Sequence, residues 1–268
     1  MFAKSLQPYQ RLIESTAMPA VLLSFMEEET ALYQSKIGGM PYFPSDYPAD
    51  PIYVPYPDTV NYTPWPKHPK TGRDLMLLIQ INFKEMPPLP SFPRTGILQL
   101  FVDDKNWHNL EKNVRVIYHP KVIRKVELLF SDFDNPVNGY EVKEHSISFH
   151  KETEYITPSD FRFNQVLPND VITDRVWKDY LAITDHRYSK QDKDPGYGRN
   201  KIGGYHYSQN GRDPRASNAE WKDSLLLVQF QNYESLSWGD GGSAQFFIKR
   251  KDLEALNFHD LLFHWDST

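Results

Sequence analysis

Gly242 to Ile248 (GSAQFFI) repeats Gly96 to Val102 (GILQLFV), and this pair of strand-like stretches decides the fold. Two further pairs match in the same order. They are Ser35 to Gly39 (SKIGG) with Asn200 to Gly204 (NKIGG), and Leu77 to Gln80 (LLIQ) with Leu226 to Gln229 (LLVQ). Because both halves keep the order, chance similarity of short strings does not explain the matches. The sequence therefore predicts an internal duplication.

The matches also define what one copy contains. Ile37 matches Ile202 and Gly96 matches Gly242, so the first copy carries extra residues between its motifs. From Gly96 onward the copies align without a gap. The aligned pairs include Phe101 with Phe247, Lys105 with Lys251, Leu110 with Leu256, and Ile117 with Phe263. Each copy is predicted to hold a glycine turn, two strands, a short helix and a third strand.

This pattern predicts the fold class and the domain organisation. The class is mainly β with a few short helices, and an α+β arrangement is the alternative. A unit of this size cannot easily bury its sheet alone, so we expect the two copies to pack about a pseudo-twofold axis. We expect a single compact domain over residues 1–268, with repeats at about 20–120 and 196–268 joined by a connection at 121–195.

Local patterns predict elements elsewhere in the chain. Strands are expected at 126–130 and 146–156, and Asn169 or Asp170 is expected to cap a helix that runs to about residue 185. Prolines interleave with aromatic residues over 41–69. Because proline denies a central strand its backbone donor, this stretch is predicted to be an irregular arm packed by its aromatics.

Composition limits the class of protein. Hydrophobic residues make up 40% and charged residues 24%, and the formal net charge is -5. The chain lacks the excess of positive charge that attracts nucleic acid or anionic lipid, so neither partner is expected. The chain has no cysteine, which excludes disulfides and thiolate metal sites. No apolar leader or membrane-length apolar run is visible, so a cytoplasmic location is expected.

The glycine motifs are predicted to serve shape and not ligand chemistry. A phosphate-binding loop would need a Walker or GxGxxG spacing, which the lysine-led glycine pairs lack. The structural glycines predicted in turns are Gly38, Gly39, Gly203, Gly204, Gly239, Gly241 and Gly242. Asp240 lies in the last of these turns. It could bind calcium or act as an acid or base, but a single carboxylate offers too few oxygens for a calcium site, so a local turn role is favoured.

The densest group of metal-ligand residue types is His259 to Asp266 (HDLLFHWD). His259 and His264 are five residues apart, so their side chains diverge on a strand and on a helix alike. We therefore expect no metal and no cofactor there. Spacing leaves one alternative open, in which a distant residue such as His206 joins one of them. No catalytic signature such as GxSxG or HExxH is present.

The function is not fixed by these patterns. The leading hypothesis is a non-catalytic cytosolic binding or protein-interaction protein whose partner is another protein or an unknown small ligand. The alternative is an enzyme or small-ligand binder that uses a cleft between the two repeats. Residues proposed to line such a cleft are Trp238, Asp240, His206, His264 and Asp266. No catalytic residue can be named.

Four features resemble the YwqG-like family, a bacterial domain of unknown function. They are the repeated KIGG turn, the LLxQ strand, the Trp238 to Gly242 turn (WGDGG) with Gln245 to Ile248 (QFFI), and the end from Phe263 to Asp266 (FHWD). The resemblance covers nearly the whole chain and implies a mostly β, internally duplicated fold without an assigned activity. Many relatives have a proline soon after the second glycine pair, where this chain has His206, whereas the first copy keeps Pro41. Some relatives carry cysteine pairs before the LLxQ strand, where this chain has Arg212 to Arg215 (RDPR).

Overall fold

The structure is a computed structural model, and it describes residues 2–47, 64–103, 114–131, 142–184, 199–233 and 236–267. One ten-stranded sheet dominates this part of the chain. Its strands are β1 (Met18–Glu27), β2 (Lys36–Ile37), β3 (Met76–Asn82), β4 (Ile97–Val102), β5 (Val114–His119), β6 (His145–Glu154), β7 (Lys201–Gly203), β8 (Ser224–Gln231), β9 (Ser243–Lys249) and β10 (Leu261–Asp266). The short α-helices are α1 (Gln10–Ser15), α2 (Phe163–Val166), α3 (Asp174–Thr184) and α4 (Arg250–Glu254). The predicted fold class, mainly β with a few short helices, is confirmed.

The strand order in the sheet is β10-β9-β8-β7-β1-β6-β2-β3-β4-β5. The pairs with a defined register, such as β3 with β4 and β8 with β9, are antiparallel. Among the described residues, no helix has the length and apolar character that crossing a lipid bilayer requires.

Contacts divide the chain into two compact units. Unit 1 comprises Met1–Leu23, Leu89–Phe92 and His150–Thr268, and unit 2 comprises Ser24–Pro88 and Pro93–Phe149. Strands β7 to β10 belong to unit 1, and strands β2 to β5 belong to unit 2. The predicted single domain of two repeats and a connection stays a prediction, as does the pseudo-twofold axis.

Each unit contains a ladder with the same register. The matching pairs are Lys36–Gln80 and Gln80–Gln99 in unit 2, and Lys201–Gln229 and Gln229–Gln245 in unit 1. A register shift falls between Leu77 and Ile79 in one ladder and between Leu226 and Val228 in the other. We call residues at the same ladder position of the two units counterparts.

The gapless alignment of the two copies is wrong by one residue in the last strand. Gln99 pairs with Ile117 on β5, and Gln245 pairs with His264 on β10. The counterpart of Ile117 is therefore His264 and not Phe263. The additional residue falls in the connection that contains α4, because a surface connection accepts an insertion that a paired strand would not. Lys105 and Leu110, the first-copy members of two other aligned pairs, lie outside the described residues, as does the short helix predicted for the first copy.

The predicted strand at 126–130 is also wrong. Val126–Leu128 forms one turn of 3-10 helix, and Leu129 makes an isolated bridge to Pro44. Val126 and Leu128 are 63% and 45% exposed, whereas Leu129 is buried. A half-buried strand would bury alternate residues, and this burial pattern lacks that alternation.

The helix predicted from Asn169 or Asp170 begins later. Residues Asn169–Val171 form a 3-10 turn, and α3 starts at Asp174. Thr173 is the capping residue, since its Oγ1 accepts a hydrogen bond from the backbone N–H of Val176 at 3.3 Å. In the proline-rich stretch, Tyr42, Phe43 and Trp65 are buried, and residues 48–63 lie outside the described part.

Each glycine turn passes over an ion pair whose lysine is buried, and in unit 1 the glutamate is buried as well. The ion pairs are Lys36–Glu144 at 2.9 Å in unit 2 and Lys201–Glu154 at 2.8 Å in unit 1. Gly204 has φ +68°, and a Cβ atom there would lie 2.3 Å from Glu154 Oε2. Gly39 has φ +67°, and a Cβ atom there would lie 2.5 Å from Glu144 Cδ. Backbone conformation and close approach to the carboxylate both require glycine at these positions.

Candidate functional site

The residues predicted to line a cleft lie in different environments. His206 and Asp266 are buried in unit 1, and the Nε2 atom of His264 is also buried there. Trp238 belongs to the core, where its ring lies 6.3 Å from that of Phe230. Asp240 is exposed in the turn before β9. His206 lies close enough to His264 to feel its charge, and both lie near the carboxylate of Asp213. Trp238 has a core role instead, and Asp240 lies in a surface turn.

A cluster of two carboxylates and two guanidinium groups adjoins His206, and all of these groups except the partly exposed Arg162 are buried. Arg215 Nη2 donates to Asp160 Oδ2 and to Asp213 Oδ2, both at 2.8 Å. Arg162 Nη2 donates to Asp160 Oδ2 at 2.7 Å. The side chains of Asp160, Asp213 and Arg215 are 0%, 2% and 5% exposed. The charges balance within the cluster, which is the condition for burying them without a large penalty.

A repeated short motif builds this cluster. Asp160 and Arg162 form one Asp-x-Arg, and Asp213 and Arg215 form another. In each, the aspartate Oδ1 accepts the arginine backbone N–H and the arginine Nε–H, at distances between 2.8 and 3.0 Å. An aspartate that bonds to backbone two residues later stabilises a tight turn. The repeated Asp-x-Arg is therefore the signal by which the sequence could have revealed Asp160 and Arg162, which were not predicted.

The electrostatics of the cluster keep its carboxylates ionised. Burial raises the pKa of Asp160, but hydrogen bonds from Arg162 and the charge of Arg215 outweigh it and lower the value to about 2. Burial also raises the pKa of Asp213, but the hydrogen bonds from Arg215 outweigh burial and lower this pKa overall. Burial lowers the pKa of His206 to about 4, so this imidazole is neutral near pH 7.

Three ligand-type residues meet in the cluster. One ligand atom each from Asp160, His206 and Asp213 lies within 4.8 Å of the others. The guanidinium of Arg215 already fills this position, since its Nη2 is 2.8 Å from both carboxylates and 3.4 Å from His206 Nδ1. An arginine therefore takes the place that a cation would occupy among these atoms.

Other polar atoms near the cluster lack a hydrogen-bond partner among the described residues. They are His206 Nε2, His264 Nε2 and Gln245 Oε1, all three buried. Gln245 lies directly opposite His264 in the β9–β10 ladder. The His206 ring lies 5.5 Å from that of Phe247, which is two residues further along the same face of β9. These atoms thus belong to one face of the unit 1 ladder.

Asp266 has a positioning role beside them. Its Oδ2 accepts hydrogen bonds from Ser208 Oγ at 2.5 Å and from the backbone N–H of Asn210 at 3.0 Å. Its Oδ1 accepts a hydrogen bond from Ser243 Oγ at 3.0 Å. Asp266 therefore ties the loop after β7 to the ends of β9 and β10, and both of its oxygens are engaged.

Unit 2 carries an open cleft of about 730 Å³, a volume typical of ligand-binding pockets. Its apolar lining consists of Met26, Met86, Pro87, Ile147 and Phe149. Its polar lining consists of Glu28, Gln34, Glu85, Ser146 and Ser148. Among these lining residues, both charged side chains are acidic. The cleft therefore offers an apolar surface and a negative potential together.

One wall of this cleft is strand β6, which extends beyond the end of the neighbouring strand β2. Strand β2 is two residues long and pairs with β6 only at His145 and Ser146. Strand β6 continues through Ile147, Ser148 and Phe149, which line the cleft instead. Sequence reasoning missed this site because its walls come from distant segments and no local motif marks them.

The chain was also compared with known proteins. No curated protein matches it at a significant level. The family model of DUF1963, a domain of unknown function, matches residues 35–267 and so covers most of the chain. The protein belongs to the DUF1963 family, a domain of unknown function.

Proposed function

We propose that this protein is a non-catalytic binding protein, and that the cleft of unit 2 receives an extended protein segment carrying a basic side chain. The observation that carries this proposal is the continuation of β6 past the end of β2 into an open, acidic cleft. An extended peptide that adds to a strand edge gains main-chain hydrogen bonds, and pockets for alternate side chains give it specificity.

The lining favours a cation with an apolar stem. Glu28 and Glu85 supply the negative charge, and Met86 and Phe149 supply apolar surface. Lysine and arginine have this combination, because their methylene stems pack on apolar surface while their charged ends remain at a polar rim. Glu85 is already oriented, since its Oε2 accepts the backbone N–H of Ser35 at 2.8 Å.

The Asp160–Asp213 cluster of unit 1 supports a binding role over catalysis. Asp160 and Asp213 are ion-paired with arginines at 2.8 Å or less, and each is held ionised. A general acid or base near neutral pH needs a pKa close to the working pH. The lowered pKa values of both carboxylates point away from that role.

The binding proposal is tested with a fluorescent eight-residue peptide of alternating valine and lysine and with the same peptide carrying glutamate for lysine. Fluorescence anisotropy should show binding of the lysine peptide and no binding of the glutamate peptide. The double variant Glu28→Gln/Glu85→Gln should bind it about tenfold more weakly. Glu29→Gln/Glu127→Gln is the control that removes the same number of charges, because both residues are exposed and lie outside the cleft lining. Equal weakening by the control would mean that net charge alone attracts the peptide, against the proposal.

A second candidate occupant is a small cationic molecule, which the cleft volume also suits. Free spermidine serves as its probe. A lysine peptide whose backbone nitrogens are alternately methylated separates the two cases, because methylation removes the donors that strand addition needs. Loss of binding on methylation supports strand addition, whereas tight spermidine binding with no effect of methylation supports the small ligand.

We further propose that the two units arose by duplication, that the chain is a YwqG-like bacterial member of its family, and that it works in the cytoplasm. The shared register and the matching register shifts of the two ladders support the first of these proposals. The ordered KIGG and LLxQ motifs support the second.

A further inference from the structure

We propose that unit 1 binds a divalent transition-metal ion through His206 Nε2 and His264 Nε2, with Gln245 Oε1 as a third ligand. These three atoms are buried and have no hydrogen-bond partner among the described residues. Burying polar atoms without partners costs free energy, and native structures almost always satisfy them. Two imidazole nitrogens and an amide oxygen form a ligand set suited to zinc, cobalt or nickel.

Unit 2 shows that the fold itself does not require these polar atoms. The counterpart of His264 is Ile117, and the second residue after the glycine pair is Pro41 where unit 1 has His206. Unit 2 therefore has an apolar residue at both positions. The two histidines of unit 1 are therefore not explained by sheet geometry.

Gln99, the counterpart of Gln245, shows how the side-chain oxygen of such a glutamine finds a hydrogen-bond partner without a metal ion. Gln99 Oε1 lies 3.0 Å from His119 Nε2, and Gln99 Nε2 donates to the carbonyl oxygen of Tyr42 at 2.7 Å. Gln245 Nε2 makes the equivalent bond to the carbonyl oxygen of Tyr207 at 2.7 Å. The ladder position of His119 holds Asp266 in unit 1, and both oxygens of Asp266 accept hydrogen bonds from Ser208, Asn210 and Ser243 instead of donating to Gln245 Oε1.

The surroundings of His206 fit a metal ligand. In the absence of metal, Arg215 Nη2 approaches His206 Nδ1 at 3.4 Å, which places the ring proton on Nε2. Metal binding at Nε2 moves that proton to Nδ1, which lies 4.0 Å from Asp213 Oδ2. A carboxylate hydrogen-bonded behind a ligating histidine is the usual arrangement in metal sites, and Asp213 would have to move closer than 4.0 Å to accept this proton. This site is separate from the Asp160–Asp213 position that Arg215 fills.

Untagged protein titrated with Co²⁺ tests the proposal. We expect visible absorption bands that saturate at one Co²⁺ per chain, and a higher melting temperature with Zn²⁺. His264→Ile, which installs the residue found at this ladder position in unit 2, and His206→Leu should each weaken Co²⁺ binding at least about tenfold. His150→Ala and His259→Ala are matched controls, because both residues are exposed. Circular dichroism checks that the variants are folded.

Wild-type protein gives a second test that does not depend on the variants. With ¹⁵N-labelled histidine, Zn²⁺ should shift the ring-nitrogen NMR signals of two histidines, and assignment should identify them as His206 and His264. Absence of absorption bands and of a Zn²⁺ effect on melting would overturn the proposal. Binding that the control variants abolish would also overturn it, since the ion would then belong to the surface histidines.

Discussion

Lys201 Nζ lies 2.8 Å from both carboxylate oxygens of Glu154, and the two side chains are 4% and 8% exposed. The glycine turn after β7 closes over this pair, and Glu154 Oε2 also accepts the backbone N–H of Tyr205 at 2.9 Å. The turn and the ion pair therefore depend on each other, so a mutation in either one should affect the stability of both.

Gly204→Ala should destabilise the protein more than Gly211→Ala does. Both glycines have a left-handed backbone, with φ +68° and +66°. Only at Gly204 does a Cβ meet neighbours, at 2.3 Å from Glu154 Oε2, whereas nothing lies within 4 Å of one at Gly211. We expect a loss of about 1–2 kcal/mol at Gly211 and about 2 kcal/mol more at Gly204, measured by urea unfolding. Equal losses would show that backbone strain alone accounts for both.

Lys201→Met should lower the free energy of unfolding by about 3–5 kcal/mol, because it leaves the buried carboxylate of Glu154 without its cation. The double variant Lys201→Met/Glu154→Gln should recover part of that loss, since the glutamine oxygen still accepts from Tyr205 and carries no charge. Denaturant titration of both variants measures the difference. A double variant no more stable than Lys201→Met would contradict this account.

Arg215→Met should destabilise the protein by about 3–5 kcal/mol near pH 7, because Asp213 and Asp160 lose a shared partner. In the wild-type protein the lowered pKa of Asp160 gives stability that is present above the ordinary aspartate value of 3.8 and is lost as pH falls toward about 2. In the variant the carboxylates protonate at higher pH, so the deficit should shrink at about pH 3.

The control for this variant is Arg212→Met, since Arg212 is exposed and lies in the same loop. It should change stability by less than about 0.5 kcal/mol. Arg215→Met should also gain more stability from added Zn²⁺ than the wild-type protein does, because the space between Asp160, His206 and Asp213 is then free of the guanidinium. A deficit that does not depend on pH would show that lost packing outweighs lost charge pairing.

His119 should contribute a pH dependence to stability. Burial lowers its pKa from 6.5 to about 4, so the unfolded state binds more protons between these values. Stability is therefore full above about pH 6.5 and declines by about 3 kcal/mol as pH falls to about 4. His119→Gln keeps a donor toward Gln99 but cannot titrate, so the difference in slope between the two proteins measures the effect. Parallel pH profiles would be evidence against it.

The strand ladders could be predicted because their signal is local and occurs twice. The KIGG and LLxQ motifs each mark a strand or turn, and the observed ladders place them at matching positions. The last strand was misaligned by one residue because sequence matching does not detect an insertion in a connection. The helix at Val126 was missed because apolar composition alone does not show which side chains are exposed.

The candidate sites were harder to predict because tertiary structure assembles them. Asp160 and Asp213 are distant in sequence, and only the path of the chain after β6 brings both to Arg215. His206 and His264 were separately noticed, but their common face depends on the register of β9 and β10. The cleft depends on where β2 ends, and a strand boundary is among the least certain features of a sequence.

The brevity of β2 and β7 has a consequence for how the sheet comes apart. Strand β2 holds two residues between β6 and β3, and β7 holds three between β1 and β8. Few main-chain hydrogen bonds cross the sheet at these places, so amide protons there should exchange with deuterated solvent sooner than those of β3, β4, β8 and β9. Under a pulling force the sheet should separate first at β2 and β7. The longer strands on either side would then detach while still paired with one another.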